Sequence, residues 1–159
     1  MIKPMVKTIL GAFMITLLAS PALALSAKKE TTIQAPLNKV WDKIGGWCAI
    51  KDWHPAVAAC AETRKDNQLR RTLTLEGGGE IVELLTGEDE RSYSYIIETS
   101  PLPVKNYKAT LSVSPQGNDQ TKIKWTGTFD ADGKPDKDVI DLITGIYEAG
   151  LASITKIMK

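Results

Sequence analysis

The sequence of 159 residues carries 20 lysines and arginines against 19 aspartates and glutamates, so its charge is almost balanced. A chain without a basic excess gives no reason to expect binding to nucleic acid or to an anionic membrane surface. The length fits one domain with a single hydrophobic core better than several domains.

The first residues have the pattern of a secretory signal peptide. Lys3 and Lys7 provide a positive start, residues 8–18 are mostly apolar, and small residues precede two candidate cleavage points, after Ala24 and after Ser26. The apolar run is shorter than the roughly 20 residues that a membrane-spanning helix needs. We therefore predict export to the periplasm, with both cleavage points open, and an uncleaved membrane anchor is the alternative.

The predicted boundaries are a signal peptide over residues 1–26 and a single domain over residues 27–159. Cleavage removes two lysines, which leaves 18 basic against 19 acidic side chains and a formal charge of −1. Nothing after residue 27 is apolar enough to span a bilayer, so we expect no stable membrane insertion after cleavage.

The domain begins with a short strand and one or two short helices. Residues 30–35 read as the strand, and residues 37–44 have the apolar spacing of a helix that ends at Gly45. Residues 47–55 follow as a second short helix or a tight loop, because Pro55 disfavours helical geometry in the residue before it.

The segment 47–55 is the most distinctive part of the sequence. It holds two of the four tryptophans, one of the two cysteines and the only histidine. Aromatic rings, an imidazole and a proline-stiffened turn suit the rim of an apolar pocket, so we predict such a rim from Trp47, Trp53 and His54. For His54, a hydrogen bond to nearby backbone is favoured over acid–base catalysis, because no carboxylate stands at an obvious orienting position.

Cys48 and Cys60 are the only cysteines. In an exported protein we expect them to form a disulfide that ties the 47–55 segment to the next strand. Two buried free thiols are the alternative. A metal site is a weaker third interpretation, because two cysteines and one histidine supply three ligands at most and lack close C-x-x-C spacing.

The middle of the chain reads as a series of strands joined by turns. Apolar and polar residues alternate with the period of half-buried strands, and Gly77-Gly78-Gly79 is typical of a hairpin turn. The strands are predicted near residues 57–64, 69–75, 80–85, 92–97, 107–113 and 122–129. This succession indicates a twisted antiparallel sheet with one solvated face.

Arg71 is unusual because it shares its strand parity with Leu69 and Leu73, which predicts that it points inward. A buried charge needs a partner, and Glu83 on the return strand of the hairpin is the candidate. The pair is a candidate anchor for a ligand carboxylate or phosphate. An ion pair at the sheet edge or in water is the alternative.

A long helix over residues 136–158 is predicted to cover the sheet. Apolar residues and one glycine recur there at helical spacing, namely Val139, Leu142, Ile143, Ile146, Gly150, Ile154 and Ile157. Gly145 and Gly150 weaken this helix by about 1 kcal/mol each relative to alanine. Either close packing against the sheet or a cavity beside the helix explains them.

These elements define an α+β fold, in which a curved antiparallel sheet of about six to seven strands surrounds the C-terminal helix. Two short helices follow the first strand and leave the open end incompletely filled. We expect a cavity there of several hundred Å³, in the range usual for ligand sites. Its candidate walls are the aromatic residues Tyr95, Tyr107, Trp125 and Tyr147, although each also suits simple core packing.

The order of elements and several motifs resemble the START-like or SRPBCC superfamily. The motifs are Trp53-His54-Pro55, the Gly-Gly-Gly-Glu-Ile-Val-Glu hairpin that ends at Glu83, Pro101-Leu102-Pro103-Val104 with Tyr107, and the Trp125 strand before a helix with Gly150-Leu151. The sequence is most similar to the polyketide cyclase/dehydrase group, including the exported MxaD-like proteins of methylotrophic bacteria. The resemblance implies a helix-grip fold whose members hold lipids, polyketides or other hydrophobic ligands in an apolar cavity.

Three functions follow as hypotheses. The first is a non-catalytic binding protein for a hydrophobic or amphipathic small molecule. The second is a cyclase or dehydratase in which His54, Arg71 and Glu83 act on a polyketide-like substrate. The third, implied by the MxaD resemblance, is an accessory protein of a periplasmic dehydrogenase–cytochrome system that acts through its surface on a redox partner. No cofactor signature is present in the sequence, and no cofactor is predicted.

Overall fold

The computed structural model describes residues 23–159, so most of the predicted signal peptide lies outside the described residues. The described chain contains one seven-stranded antiparallel sheet and three helices. Their order is β1 (Leu25–Ile33), α1 (Leu37–Ile44), α2 (Ile50–Trp53), β2 (Val57–Lys65), β3 (Gln68–Leu75), β4 (Glu80–Asp89), β5 (Ser92–Thr99), β6 (Val104–Pro115), β7 (Thr121–Ala131) and α3 (Asp136–Ile157). The predicted α+β architecture is confirmed.

The sheet has the strand order β1-β7-β6-β5-β4-β3-β2. Six strands follow one another as hairpins, and β1 closes the other edge beside β7. The β3–β4 hairpin turns at the predicted glycines, where Gly78 and Gly79 adopt φ values of 87° and 91°. Such positive φ angles are accessible to glycine without steric strain, which explains the glycine run.

The first strand is longer than the alternation of its residues predicts. It begins at Leu25, which pairs with Phe129, and continues to Ile33, which pairs with Thr121. The predicted strand over residues 30–35 therefore began five residues too late and ended two residues too late. The first half of β1 lacks the alternation of apolar and polar residues by which strands are predicted. It forms a strand because its backbone hydrogen-bonds with β7, and this pairing does not need an apolar pattern.

The long helix α3 crosses one face of the sheet and packs mainly against β1. Its buried face consists of Val139, Ile143, Tyr147, Gly150, Leu151 and Ile154. Leu142 and Ile157 were predicted on this face, but they are 41% and 42% exposed. Each residue turns an α-helix by about 100°, so Leu142 points away from the buried face on which Ile143 lies.

No helix in residues 23–159 combines the length and apolar character needed to cross a bilayer.

Candidate ligand-binding cavity

A cavity of about 160 Å³ lies between the inner face of the sheet and α3. Its apolar lining comes from Ile50, Ala56, Val57, Leu73, Leu75, Ile81, Ile97, Leu102, Ile143 and Ile146. The remaining lining residues are His54, Glu83, Tyr95, Tyr107, Trp125 and Tyr147. The cavity is smaller than the expected several hundred Å³, because aromatic side chains fill much of the space between the helix and the sheet.

A larger, open groove lies on the outer face of the sheet and is lined mainly by serine, threonine and lysine side chains. Its side chains are solvated, and it lacks the enclosed apolar walls that hold small hydrophobic molecules. The inner cavity is therefore the candidate site.

Arg71 and Glu83 form a buried ion pair beside the cavity, as predicted. They face each other directly across β3 and β4, and Arg71 Nε donates to Glu83 Oε2 at 2.5 Å. Arg71 Nη1 also donates to the carbonyl oxygen of Trp47, and the Arg71 guanidinium carbon lies 3.8 Å from the centroid of the Trp47 ring. Arg71 is completely buried, so three contacts compensate for the desolvation of its charge.

Only one member of this pair reaches the cavity. Glu83 lines it, whereas Arg71 lies behind Glu83 and under the Trp47 ring. Burial raises the pKa of Glu83, and the positive charge of Arg71 opposes that change. Burial acts to lower the pKa of Arg71, but Glu83 and the neighbouring tyrosines raise it in net. Because Arg71 stays charged, Glu83 supplies the compensating negative charge.

Two hydrogen bonds join the polar tips of four aromatic side chains in the wall. Trp125 Nε1 donates to the hydroxyl oxygen of Tyr95 at 3.0 Å, and the hydroxyls of Tyr107 and Tyr147 are 2.5 Å apart. Burial raises the pKa of all three tyrosines, so they remain neutral hydroxyl groups. Gly127 makes room for this arrangement, because a β-carbon there would lie 2.2 Å from the Tyr147 hydroxyl.

His54 joins the turn after α2 to the long helix. Its Nδ1 accepts a hydrogen bond from the backbone N–H of Ala56 at 3.2 Å, and its Nε2 lies 3.0 Å from the carbonyl oxygen of Ile146. These partners require a neutral ring with the proton on Nε2. Burial lowers the pKa of His54, which favours the same neutral form. The predicted hydrogen bond to nearby backbone is confirmed.

The prediction that Trp47 and Trp53 form the rim of the cavity was wrong, because both rings are used in the core. Trp47 covers Arg71 and meets Tyr93 edge-on, with ring centroids 5.4 Å apart. Trp53 packs edge-on against Trp125, with ring centroids 5.7 Å apart. Neither tryptophan lines the cavity. Arg71, predicted as a ligand anchor, does not line it either.

Other predicted residues do meet in one place. His54, Glu83, Tyr95, Tyr107, Trp125 and Tyr147 all line the cavity. The sequence interpretation missed most of the apolar wall. The strand alternation at Leu73 and the helical spacing at Ile143 both indicate buried side chains. Neither pattern distinguishes a cavity wall from ordinary core.

Cys48 and Cys60 form the predicted disulfide, with Cα atoms 5.6 Å apart. The bond ties the residue next to Trp47 to β2, close to the carbonyl that receives the Arg71 hydrogen bond. Within residues 23–159, no group of three or more histidine, cysteine, aspartate or glutamate side chains is arranged to hold a metal ion.

A sheet that curves around a C-terminal helix, with an apolar cavity between them, defines the START-like class of helix-grip folds. Residues 24–159 match the family described as polyketide cyclase/dehydrase and lipid transport. The chain belongs to this family, which confirms the coarser part of the sequence resemblance.

Solved structures agree with this assignment. The protein XoxI from Bacillus cereus is 29% identical, with a TM-score of 0.78 over 84% of this chain and 94% of that chain. A protein of uncharacterised function from Bacillus thuringiensis is 28% identical, with a TM-score of 0.78 over 84% of this chain and 98% of that chain. The ZhuI aromatase/cyclase from a Streptomyces species is 11% identical, with a TM-score of 0.66 over 86% of this chain and 92% of that chain. At this identity the similarity shows a shared fold alone. No curated protein matches the chain significantly.

Proposed function

We propose that this protein binds a small hydrophobic molecule in the cavity between the sheet and α3, and that it does so without catalysing a reaction. The observation that carries the proposal is the predominantly apolar lining of the cavity, into which only a few polar groups project. Sites of this composition hold ligands through burial of apolar surface, and their polar groups set orientation.

The cavity volume limits the ligand. An engineered apolar cavity of about 150 Å³ in another protein binds benzene, and the volume here is about 160 Å³. A single aromatic ring or a similarly short aliphatic chain fits this space. A long lipid chain or a multi-ring polyketide is larger than this space. The proposed ligand class is therefore smaller than the family description alone suggests.

The hydrogen bonds of the wall support a non-catalytic role. His54 supplies the one imidazole of the wall, and both of its ring nitrogens are used in contacts with backbone groups. A general acid or base needs a free position within hydrogen-bond reach of the reacting atom. For His54, such a position exists only if the turn after α2 separates from α3.

Export to the periplasm is part of the proposal. It is supported by the positively charged and apolar leader and by the disulfide between Cys48 and Cys60, a bond typical of oxidising compartments. The pairing of Leu25 and Ser26 with β7 favours cleavage after Ala24, because that cut keeps the whole of β1. Partnership with a periplasmic redox protein, as in the MxaD-like hypothesis, stays a prediction that a binding assay with such a partner would test.

The first experiment is native mass spectrometry of protein purified from the periplasm, followed by titration of the emptied protein with benzene. We expect a co-purifying or added one-ring molecule at one copy per chain. A matched pair of variants locates the site: Ile143→Trp fills the cavity wall, and Leu142→Trp places the same ring on the exposed flank of α3.

Loss of binding in Ile143→Trp with retention in Leu142→Trp supports the cavity as the site, provided both variants melt cooperatively. Equal binding by both variants would show that the ligand lies elsewhere. Conversion of a co-purified molecule into a product during incubation would overturn the non-catalytic part of the proposal.

A further inference from the structure

Glu83 offers the cavity an unused hydrogen-bond acceptor. Its Oε2 accepts from Arg71, whereas its Oε1 accepts from no residue that the structure describes. The side chain is only 5% exposed. Among the described residues, the fully buried side-chain polar atoms without a partner are Trp47 Nε1, Trp53 Nε1 and Arg71 Nη2. Glu83 Oε1 is not one of them, so this oxygen is not fully covered by other atoms. Because Glu83 lines the cavity and Oε2 is held by Arg71, Oε1 is the oxygen that is available to a ligand there.

The three tyrosines that line the cavity with Glu83 leave one hydrogen-bond donor as well. Tyr95, Tyr107 and Tyr147 carry three hydroxyl hydrogens, and the hydrogen bond between Tyr107 and Tyr147 uses one of them. The oxygen of Tyr95 accepts from Trp125, and the Tyr95 hydroxyl also hydrogen-bonds with Tyr107, so one of the three hydroxyl hydrogens stays free for a ligand. Glu83 and Tyr95 line the same cavity.

Positive charge does not reach this space. Arg71 is completely buried behind Glu83 and the Trp47 ring, and lysine and arginine are both missing from the lining. A carboxylate that enters the cavity loses its hydration and meets the Glu83 carboxylate without a counter-ion, which is strongly unfavourable.

We infer that the cavity selects small neutral ligands that carry a hydrogen-bond donor, such as a hydroxyl or an amide N–H, and rejects carboxylates of the same size. This inference rests on the proposed binding function and specifies its ligand class. The ligand donor bonds Glu83 Oε1, a tyrosine hydroxyl can donate to the ligand oxygen, and the apolar wall holds the rest of the molecule. It reverses the expectation that Arg71 anchors an acidic ligand.

Calorimetric titration with four one-ring probes tests the inference. Toluene and phenol have the same number of heavy atoms and differ in the hydroxyl, while benzamide and benzoate differ in charge and in the donor. We expect phenol to bind at least as tightly as toluene, because Glu83 compensates the hydroxyl for its lost water. Benzamide should bind at least about tenfold more tightly than benzoate.

The double variant Arg71→Met, Glu83→Leu removes the acceptor and leaves no unpaired charge, so we expect it to fold. We expect it to bind toluene and to raise the ratio of the phenol Kd to the toluene Kd at least about tenfold. The control is Arg70→Met with Glu98→Leu, which removes the neighbouring partly exposed ion pair outside the cavity. That control should leave the ratio unchanged.

Each outcome decides between the two proposals. Toluene binding with equal affinity for benzoate and benzamide overturns the inference and leaves the binding function in place. An unchanged phenol-to-toluene ratio in the cavity variant also overturns it. If none of the four probes binds the emptied protein, both proposals are overturned. If the double variant does not fold, the comparison of benzamide with benzoate on the unaltered protein decides the inference.

Discussion

The imidazole of His54 lies directly against Gly150 of the long helix. A β-carbon at Gly150 would lie 2.7 Å from His54 Cδ2, 3.0 Å from the Trp125 ring and 3.1 Å from the Trp53 ring. Three rings therefore pack on the bare backbone of α3 at one point. Of the two explanations considered for the helix glycines, close packing and a cavity, close packing accounts for Gly150.

Substitution of this glycine should destabilise the protein, whereas the other helix glycine is free to change. We expect Gly150→Ala to lower the free energy of unfolding by about 1–3 kcal/mol, because the added methyl group overpacks the three rings. Gly145 is exposed, and a β-carbon there meets nothing within 4 Å. Gly145→Ala should raise stability by about 0.5–1 kcal/mol through helix propensity. Urea denaturation measures both, and equal effects of the two substitutions would contradict this packing.

Acidification should weaken the fold through His54. Because burial lowers the pKa of the folded imidazole below 6.5, the unfolded chain binds a proton that the folded chain does not. Stability is therefore complete above about pH 6.5 and falls as the pH drops towards the folded pKa. His54→Gln should remove this part of the pH dependence. Unfolding free energies at several pH values, for both proteins, give the comparison.

The comparison of the unaltered protein with His54→Gln is needed because Glu83 also changes the pH dependence of the free energy of unfolding, with the opposite sign. Burial raises its folded pKa above 4.5, so its protonation favours the folded state as the pH falls through that window. Identical profiles for the unaltered protein and His54→Gln would show that the folded imidazole titrates normally. A nitrogen-detected NMR spectrum should also show the proton on Nε2 at neutral pH.

The Arg71–Glu83 pair should show strong coupling in a double-mutant cycle. Arg71→Met or Glu83→Leu alone leaves one buried charge and should cost about 3–5 kcal/mol, whereas the double replacement should be nearly neutral. Denaturant unfolding of the four proteins measures the coupling. The partly exposed Arg70–Glu98 pair provides the reference, for which less than about 1 kcal/mol is expected. Additive losses at Arg71 and Glu83 would contradict a paired buried state.

Loss of the disulfide should reduce stability by about 2–3 kcal/mol, because it closes a loop with a sequence separation of 12 residues. The double variant Cys48→Ala, Cys60→Ala and the reduced protein should unfold at similar urea concentrations. Reductant should shift the unfolding of the unaltered protein and leave the variant unchanged. A reductant effect on the variant would mean that the shift has another origin.

Local periodicity explains why much of the fold was predictable. The alternation around Arg71 predicted an inward side chain, and the need of a buried charge for a partner indicated Glu83. The structure then placed Glu83 directly opposite Arg71. Helical spacing located α3, although it included Leu142, which lies on an exposed flank. Patterns of this kind report which side of an element is apolar, and they do not report how far a neighbouring element extends over that side.

The site depended on information that no local pattern contains. Trp47 and His54 lie in the same short segment, yet Trp47 covers a buried guanidinium and His54 lines the cavity. Their separation depends on the direction of α2 and on the position of α3, which brings Ile146 to the imidazole. The start of β1 at Leu25 likewise follows from pairing with a strand about one hundred residues away in the chain.

By itself, the sequence determined the element types, the inward charge with its partner and the single possible disulfide, because these depend on residue spacing and on the pairing needs of buried charges and thiols. Only the tertiary structure decided the cavity volume, the side chains that face it and the distinction between Gly145 and Gly150. Those properties depend on the curvature of the sheet and the placement of α3 across it, where shifts smaller than one side chain convert open space into packed core.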